Sequence, residues 1–310
     1  MTLYKFTSIN VGRTILQDRR IRFSQPPALN DPFDSMPFVA EFVSEDQLAS
    51  YVQSLGGEPQ VVYTFLDEML ARKYKELSPI QQSQFSLEDW VAYGTPKLKA
   101  RFQQEVDQTG LPFLEALKKQ FADNRENNRR TTEQCLQAAI SSTLGILSLS
   151  TVCDHSLLWA HYADSHRGLA LAFDSDHSFF ADAREVKYVG ARIPISFAEI
   201  LNSEEKAREA ATAMVFTKHL DWAYEHEYRM VRSLDAAQTQ DGVDPNGYSI
   251  CLFDFPASCV VSVVMGSRAT IEDSQSIKSI LADDSYRHVK LACASCEPLG
   301  YGVKISLTAA

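Results

Sequence analysis

Hydrophobic and polar positions follow three different rhythms along this chain. Residues 3–6 read as a short strand, and residues 21–23 alternate apolar and polar side chains, the period of a second short, half-buried strand. Between them Ser8 or Asn10 stands where a helix N-cap belongs, and Ile15 and Leu16 supply an apolar face for a short helix. Residues 25–32 then read Gln-Pro-Pro-Ala-Leu-Asn-Asp-Pro, a stretch that proline and Asn-Asp confine to extended and turn conformations.

From residue 44 to 142 the period is helical. Leu48, Tyr51, Val52 and Leu55 lie on one face before Gly56-Gly57, and Phe65, Leu66, Met69 and Leu70 open a second helix. Ser86 with Asp89 resembles a capping box, and Leu98, Phe102 and Val106 continue the period until Pro112. Leu114, Leu117 and Phe121 resume it. Residues 124–132 are polar and read as a loop, followed by a short helix with Leu136, Ala139 and Ile140.

After residue 143 the period changes again. Strands are predicted at 146–150, 168–173, 186–188, 227–231, 249–253, 260–265, 288–292 and 302–306. Helices are predicted at 156–162, 204–219 and 271–281. Together these elements predict an α+β fold: a mixed or antiparallel core of short strands with a large helical insertion. Residues 1–43 and 143–310 would form the core, and residues 44–142 the insertion or subdomain. The two N-terminal strands are too short to make a sheet alone, so they are expected to join the second half in one sheet. A helical domain fused to an independent β domain is the other arrangement.

Composition narrows the classes. The chain has 310 residues, 45% of them hydrophobic, which excludes wholesale disorder. A chain of this length buries enough surface to fold without a disulfide or metal. Its net charge of -10 argues against a protein that coats nucleic acid. No signal-peptide pattern opens the sequence and no run approaches the ~18 apolar residues of a spanning helix. A cytoplasmic protein without membrane contact is expected, its six cysteines reduced and its Cys293/Cys296 pair structural.

The strong chemical motifs are missing: there is no Walker loop, dinucleotide glycine fingerprint, nucleophile elbow or H-E-x-x-H. No metal site is expected either, because His155 and His161 are six apart and do not share a helical face. Four clusters remain. Residues 1–22 carry Lys5, Arg13, Arg19, Arg20 and Arg22 against Asp18, a local net of +4 in an acidic chain. They form either a solvated face or a fork for phosphate oxygens. The stiff loop through Asn30, Asp31 and Asp34 either presents side chains to a ligand or forms a structural turn. Ser148 and Ser150 precede a Leu-Trp-Ala-His-Tyr run in which His161 and Tyr162, with His166 just beyond, are ligand candidates and Trp159 a core residue. If residues 222–229 are a strand, Glu225, Glu227 and Arg229 share a face. Two such carboxylates either divide acid and base labour in a cleft or make a surface ion-pair ladder.

These clusters resemble an uncharacterised bacterial and phage-associated family known only as a domain of unknown function. The resemblance rests on Leu3-Tyr4-Lys5-Phe6, Ile21-Arg22-Phe23-Ser24, Leu29-Asn30-Asp31-Pro32-Phe33-Asp34, Leu158-Trp159-Ala160-His161-Tyr162 with Gly168, and Lys218 with Trp222, Tyr224, Glu225, Glu227 and Arg229. The opening residues 3–7 are also similar to bacterial ADP-ribosyltransferases of the DNA- and RNA-modifying toxin type, with Lys5 where those have histidine. Glu225-His226-Glu227 resembles the E-x-E strand of arginine-directed members, and Ser148-Leu149-Ser150 their S-T-S strand with Leu149 in place of threonine.

That second resemblance implies an ADP-ribosyltransferase-like fold and NAD as substrate. It makes Glu227 and Glu225 the catalytic candidates. Tyr4, Lys5, Arg22, Asn30, Ser148, Ser150, His161, Tyr162 and Arg229 become nucleotide-binding candidates, with Arg22 on the pyrophosphate and Tyr162 or Tyr4 stacked on nicotinamide. The implied role is a toxin or phage-defence effector with a protein or nucleic-acid acceptor, or an NAD hydrolase. Two alternatives stand beside it: a non-enzymatic sensor or interaction module, and a metal-dependent hydrolase or nuclease using Asp31, Asp34, Glu225 and Glu227.

Overall fold

The structure, a computed structural model, describes residues 1–41, 125–196 and 203–307, with isolated positions at 74, 86–88, 91, 94, 96, 100, 104 and 200. The helices expected between residues 44 and 121 therefore lie outside the described residues, apart from those positions. The chain divides into two compact units, one of residues 1–36, 140–193 and 211–310 and one of residues 37–139 and 194–210.

In the first unit, strand β1 (Thr2–Thr7) leads into helix α1 (Ile9–Asp18), where the Ser8 hydroxyl accepts the Val11 N–H at 3.4 Å. The helix ends at Arg19 in the left-handed conformation (φ 54°), and β2 (Arg20–Phe23) follows. In the second unit a short parallel pair, β3 (Phe38–Glu41) and β8 (Pro194–Ser196), goes with helix α2 (Arg125–Thr143). There the Val39 N–H donates to the buried Glu133 carboxylate at 2.9 Å.

The main sheet has eight strands. In sequence order they are β1, β4 (Leu144–Ser150), β5 (Leu169–Asp174), β6 (Arg184–Glu185), β10 (Glu227–Ser233), β13 (Val260–Met265), β14 (Lys290–Cys296) and β15 (Val303–Leu307). In space the order is β15-β14-β13-β5-β1-β4-β10-β6. Every neighbouring pair is antiparallel except β13 and β14, which helix α5 (Ile271–Leu281) joins as a parallel crossover. A second sheet orders β11 (Thr239–Val243), β12 (Ser249–Asp254) and β2. A third, two-stranded parallel pair is β7 (Lys187–Val189) with β9 (Thr217–His219).

One edge of β4 is shared by two strands. Tyr4 of β1 pairs with Ser150, while Ser24 just beyond β2 bridges Ile146 in both directions at 2.8 Å. The two strands part between these points, and the Ser148 carbonyl is met by the Lys5 ammonium at 3.2 Å. A lysine thus satisfies a strand carbonyl in the gap where the sheets diverge.

Strand alternation divides the core. Leu3, Leu147, Leu149, Leu171, Phe173, Val263 and Met265 face α1 and α5 together with Ile21, Phe23 and Phe253 of the second sheet. Phe6, Ala170, Val264, Ala292 and Ala294 face the other way, toward helix α3 (Ser156–Tyr162) and its buried Leu158 and Trp159. Trp159 is fully buried; its ring meets Phe6 edge-on at 5.1 Å and its N–H donates to the Cys153 carbonyl at 2.7 Å.

Several expectations need correction. The N-terminal strands enter different sheets, because β2 finds its longer partner in β12. Residues 125–132 are helical rather than looped; Arg129 bridges Glu126 and Glu133 at 2.5 and 2.7 Å, i,i+3 and i,i+4 pairs that suit a polar helix. Helix α4 (Glu204–Val215) stops before residue 219, since residues 217–219 pair with β7 as a strand. Strand β11 had no signal, being exposed at most positions. Cys293 is half-buried and Cys296 exposed, and three residues apart on one strand they point to opposite faces. Among the described residues no helix is long and apolar enough to cross a membrane.

The exit from α3 is the tightest part of this unit. Asp164, Ser165 and His166 all take left-handed backbone (φ 46°, 53°, 70°), and the Gly168 N–H then closes on the Ala163 carbonyl at 2.8 Å. A Cβ on Gly168 would stand 2.1 Å from the Thr7 carbonyl oxygen, a backbone atom that cannot rotate away. Gly168→Ala is therefore expected to lower the unfolding free energy by about 2–3 kcal/mol in urea. Arg167→Ala, beside it on the exposed surface, should change it by less than about 0.5 kcal/mol. Equal midpoints for the two variants would refute the close approach.

Candidate functional site

The polar end of the α3-side face lies on β4 and β10. Register pairs Ser150 with Glu227 and Ser148 with Arg229, so these four side chains share one face. The strand begins only at Glu227. Residues Leu220–Glu225 form a 3-10 turn, in which the His219 ring accepts the Asp221 N–H at 3.3 Å, and His226 is left-handed (φ 44°). Three bonds tie this turn to the end of β4: the Ser150 hydroxyl donates to the Glu225 carbonyl at 2.6 Å, and the Thr151 N–H and hydroxyl donate to the His226 carbonyl at 3.1 and 3.4 Å. Glu225 thus reaches the cluster from a turn, not from the strand position that simple alternation predicts.

Arg229 is fully buried and all five of its N–H donors are engaged. Nε and one Nη2 hydrogen meet Glu227 at 2.8 and 2.9 Å. Nη1 and Nη2 meet Asp34 at 2.8 and 2.5 Å, a bidentate pair, and Nη1 also meets the Val215 carbonyl at 2.5 Å. Lys218 joins from β9, its ammonium 2.6 Å from Glu225, 3.5 Å from Glu227 and 3.8 Å from Asp34. Its partner across the strand pair, Tyr188, accepts the Glu227 N–H at 2.8 Å.

Three acids and two bases leave this buried cluster with one negative charge in surplus when all are ionised. Burial disfavours charge, so a proton is best taken up by the carboxylate with the weakest cationic support. That carboxylate is Glu225, whose pKa is raised by burial against the opposing pull of Lys218 and Tyr162. Glu227 goes the other way. Burial alone would raise it, but Arg229 and Lys218 overcome that and hold it below the usual carboxylate range.

Glu225 and Lys218 border a group of partly or fully exposed rings. The Tyr162 hydroxyl, at the end of α3, donates to Glu225 Oε1 at 2.5 Å, and Asn30 Nδ2 donates to the same phenol oxygen at 2.9 Å. Burial and the adjacent Glu225 push the Tyr162 phenol far up. Trp222 lies over the Lys218 ammonium at 4.6 Å, a cation–π contact, and is 6.1 Å from Tyr224. His161 sits 6.1–6.5 Å from Tyr162, Trp222 and Tyr224, and His155 stacks on Tyr224 at 5.0 Å. Burial beside Glu225 pushes the Tyr224 phenol up to about 12.

The structure gathers Asn30, Ser148, Ser150, His161, Tyr162, Glu225, Glu227 and Arg229 around this cluster. Tyr4 stands in the same face, packed against its apolar part. Lys5 alternates to the opposite face, with its ammonium turned to the Ser148 carbonyl. Arg22 stands apart, paired with Asp244 at 2.7 Å. Arg19 and Arg20 are likewise matched to Asp283 and Asp254, so the cationic opening segment meets acids of the second half. Asp31 accepts the Phe33 N–H at 2.9 Å as a turn residue. Among the described residues no group of three or more His, Cys, Asp or Glu side chains is arranged to hold a metal ion.

The sequence offered Asp34 as a loop residue or a metal-site carboxylate, whereas the structure makes it the second anchor of Arg229. Lys218 and Trp222 stood in the motif without an assigned role. Tyr188 had no signal, since only the parallel pairing of β7 with β9 brings it to Glu227.

A family model described as "Protein of unknown function (DUF2971)" matches residues 158–230. The matched stretch contains Tyr162, Lys218, Trp222, Glu225, Glu227 and Arg229, whereas residues 3–34 lie outside it. No match to an ADP-ribosyltransferase accompanies it. No curated protein and no solved structure matches the chain.

Breaking a buried ion pair leaves an uncompensated charge and costs about 3–5 kcal/mol. Arg229→Gln, which leaves the buried Asp34 and Glu227 carboxylates without that cation, is expected to lose at least that much in urea unfolding at neutral pH. Glu227, with a depressed folded pKa, contributes stability that is present above its unfolded pKa and disappears as pH falls through the folded one. Acid unfolding of Glu227→Gln should therefore be shallower than that of the wild type below the ordinary carboxylate range. A wild-type slope retained in the variant would remove Glu227 from the account.

Proposed function

We propose that this chain cleaves the N-glycosidic bond of a nucleotide of the NAD type, passing the ADP-ribosyl group to an acceptor or to water. One observation carries the reading: two carboxylates two residues apart have unlike surroundings, Glu227 held through both oxygens by Arg229 and Glu225 set between the Lys218 ammonium and the Tyr162 phenol, and their pKa values are displaced in opposite directions. Breaking the bond between ribose and nicotinamide builds positive, oxocarbenium-like charge on the ribose carbon, while nicotinamide leaves with the bonding electron pair. A fixed negative charge at Glu227 favours that state. Glu225 can receive the proton lost by the attacking hydroxyl, amine or water. The Trp222, Tyr224 and His161 rings offer flat walls for a base.

The similarity of Glu225-His226-Glu227 to the E-x-E strand supports the same chemistry, within an ADP-ribosyltransferase-like fold and a toxin or phage-defence role that consumes NAD. A second reading, a non-enzymatic interaction module, is favoured by a different observation. Every charged side chain of the cluster already has a partner, as in a network that only holds the loop through Asp34 in place.

The deciding experiment measures nicotinamide release from NAD by the full chain, with labelled NAD to detect modified protein or nucleic acid. Glu225→Gln is expected to lose about 100-fold or more in turnover while its unfolding midpoint stays near wild type. Equal turnover would remove Glu225 from the chemistry. Absence of both release and labelling would overturn the class and leave the module reading.

A further inference from the structure

The proton shared by Tyr162 and Glu225 has its direction set from outside the pair. A phenol oxygen can accept while its hydrogen is donated elsewhere, whereas an amide nitrogen only donates. Asn30 Nδ2 donates to the Tyr162 oxygen at 2.9 Å. The phenol hydrogen is thereby left to Glu225 Oε1 at 2.5 Å. Glu225 Oε2 is already taken by the Lys218 ammonium at 2.6 Å.

Both ends of this relay are rigidly presented. The chain around Asn30 is stitched on either side: the Leu29 N–H donates to the Pro26 carbonyl at 3.1 Å and the Asp34 N–H to the Asp31 carbonyl at 3.0 Å. The Asp34 carboxylate is then clamped by Arg229. Tyr162 closes α3, whose Trp159 is locked in the core. Asn30 itself is exposed, so its side chain contributes little packing.

We propose that Asn30 is a positioning residue that couples its own amide orientation to the protonation of Glu225. With Glu225 ionised, Asn30 donates to Tyr162 and Tyr162 donates to Glu225. When a proton enters on Glu225 Oε1, that oxygen donates to the phenol instead. The phenol hydrogen then turns to Asn30, whose amide rotates to present Oδ1. One proton is gained and two hydrogen bonds reverse, with no other bond made or broken. The remaining groups facing Glu225 are Lys218 on β9, Glu227 and Arg229 on β10, Asp34 on the loop, Tyr188 on β7 and Tyr224 on its own turn. Asn30 reaches Glu225 through the Tyr162 oxygen, to which it donates. The inference concerns the site described above and rests on the glycosidic reading only for the use made of the proton.

The test is the titration midpoint of Glu225 in the full chain, read from its carboxyl ¹³C resonance and assigned by its loss in Glu225→Gln. Asn30→Ala removes the donor that favours the ionised carboxylate, and the midpoint should rise by about one pH unit. Asn30→Asp presents an acceptor that competes for the phenol hydrogen and adds like charge, so the rise should be larger. Both unfolding midpoints should stay near wild type. A Glu225 midpoint unmoved in both variants, or moved downward, would overturn the proposal. If the chain releases nicotinamide, the acidic limb of that pH profile should move in the same order. If it releases none while the midpoints move, the coupling stands and the glycosidic reading falls.

Discussion

Arg229 donates five hydrogen bonds to three stretches of chain, one of them remote in sequence. Glu227 is its neighbour on the strand, Val215 lies before β9, and Asp34 ends a loop near the N-terminus. A guanidinium stripped of water is tolerated only when its donors are filled, so the three stretches are held to one geometry. The loop is thereby laid over the sheet where Asn30 meets Tyr162. The same arrangement consumes both oxygens of Asp34 and of Glu227, which leaves the surplus negative charge of the cluster to Glu225. Position and protonation at the site thus follow from one buried side chain.

The sheet supplies the platform through an unusual sharing of β4. Two strands dock on one edge, at Ser150 and at Ile146, and part between them. Lys5 meets the carbonyl left in the gap. Its pKa is lowered, first by burial and further by Arg22, against an upward pull from Glu227. A lysine in this setting completes a backbone hydrogen bond. The face of the sheet changes from apolar at Phe6, Ala170 and Val264 to polar at Ser148, Ser150, Glu227 and Arg229 within a few strands. Helix α3 spans that change, with Trp159 in the apolar part and Tyr162 over the polar part.

Charge tells a related story. The opening segment is cationic and the rest of the chain strongly acidic, which suggested a local site for anions. Folding instead matches Arg19, Arg20 and Arg22 with Asp283, Asp254 and Asp244. These pairs are mostly exposed and each contributes little to stability. Their effect is on register, since opposite charges sit where β2 meets β12 and where α1 ends. The chemically interesting charges are the buried ones, where removal of water makes each pairing count for more.

How much was legible depended on whether the signal was local. The α5 helix and the short helix of residues 156–162 show in the spacing of their apolar side chains, while the N-cap of α1 was open between Ser8 and Asn10 until the structure placed the Ser8 hydroxyl on the Val11 N–H. Strands β1, β4, β5 and β13 show in alternation or in short apolar runs. Polar elements were missed: strand β11 has no apolar face, and residues 125–132 look like a loop until the Arg129 ion pairs are counted. The residues Glu225, Glu227, Arg229 and Tyr162 were visible as chemistry without a place. Alternation put Glu225 on a strand, whereas a left-handed His226 turned it into the cluster by another route. By itself the sequence determined the elements and the supply of ionisable and aromatic side chains, because both depend on neighbours within a few residues. Only the tertiary structure decided that Asp34 would pair with Arg229 and that Glu225 would be the carboxylate whose pKa rises. Burial and distance between remote segments set the energies of those charges, and neither is written in local order.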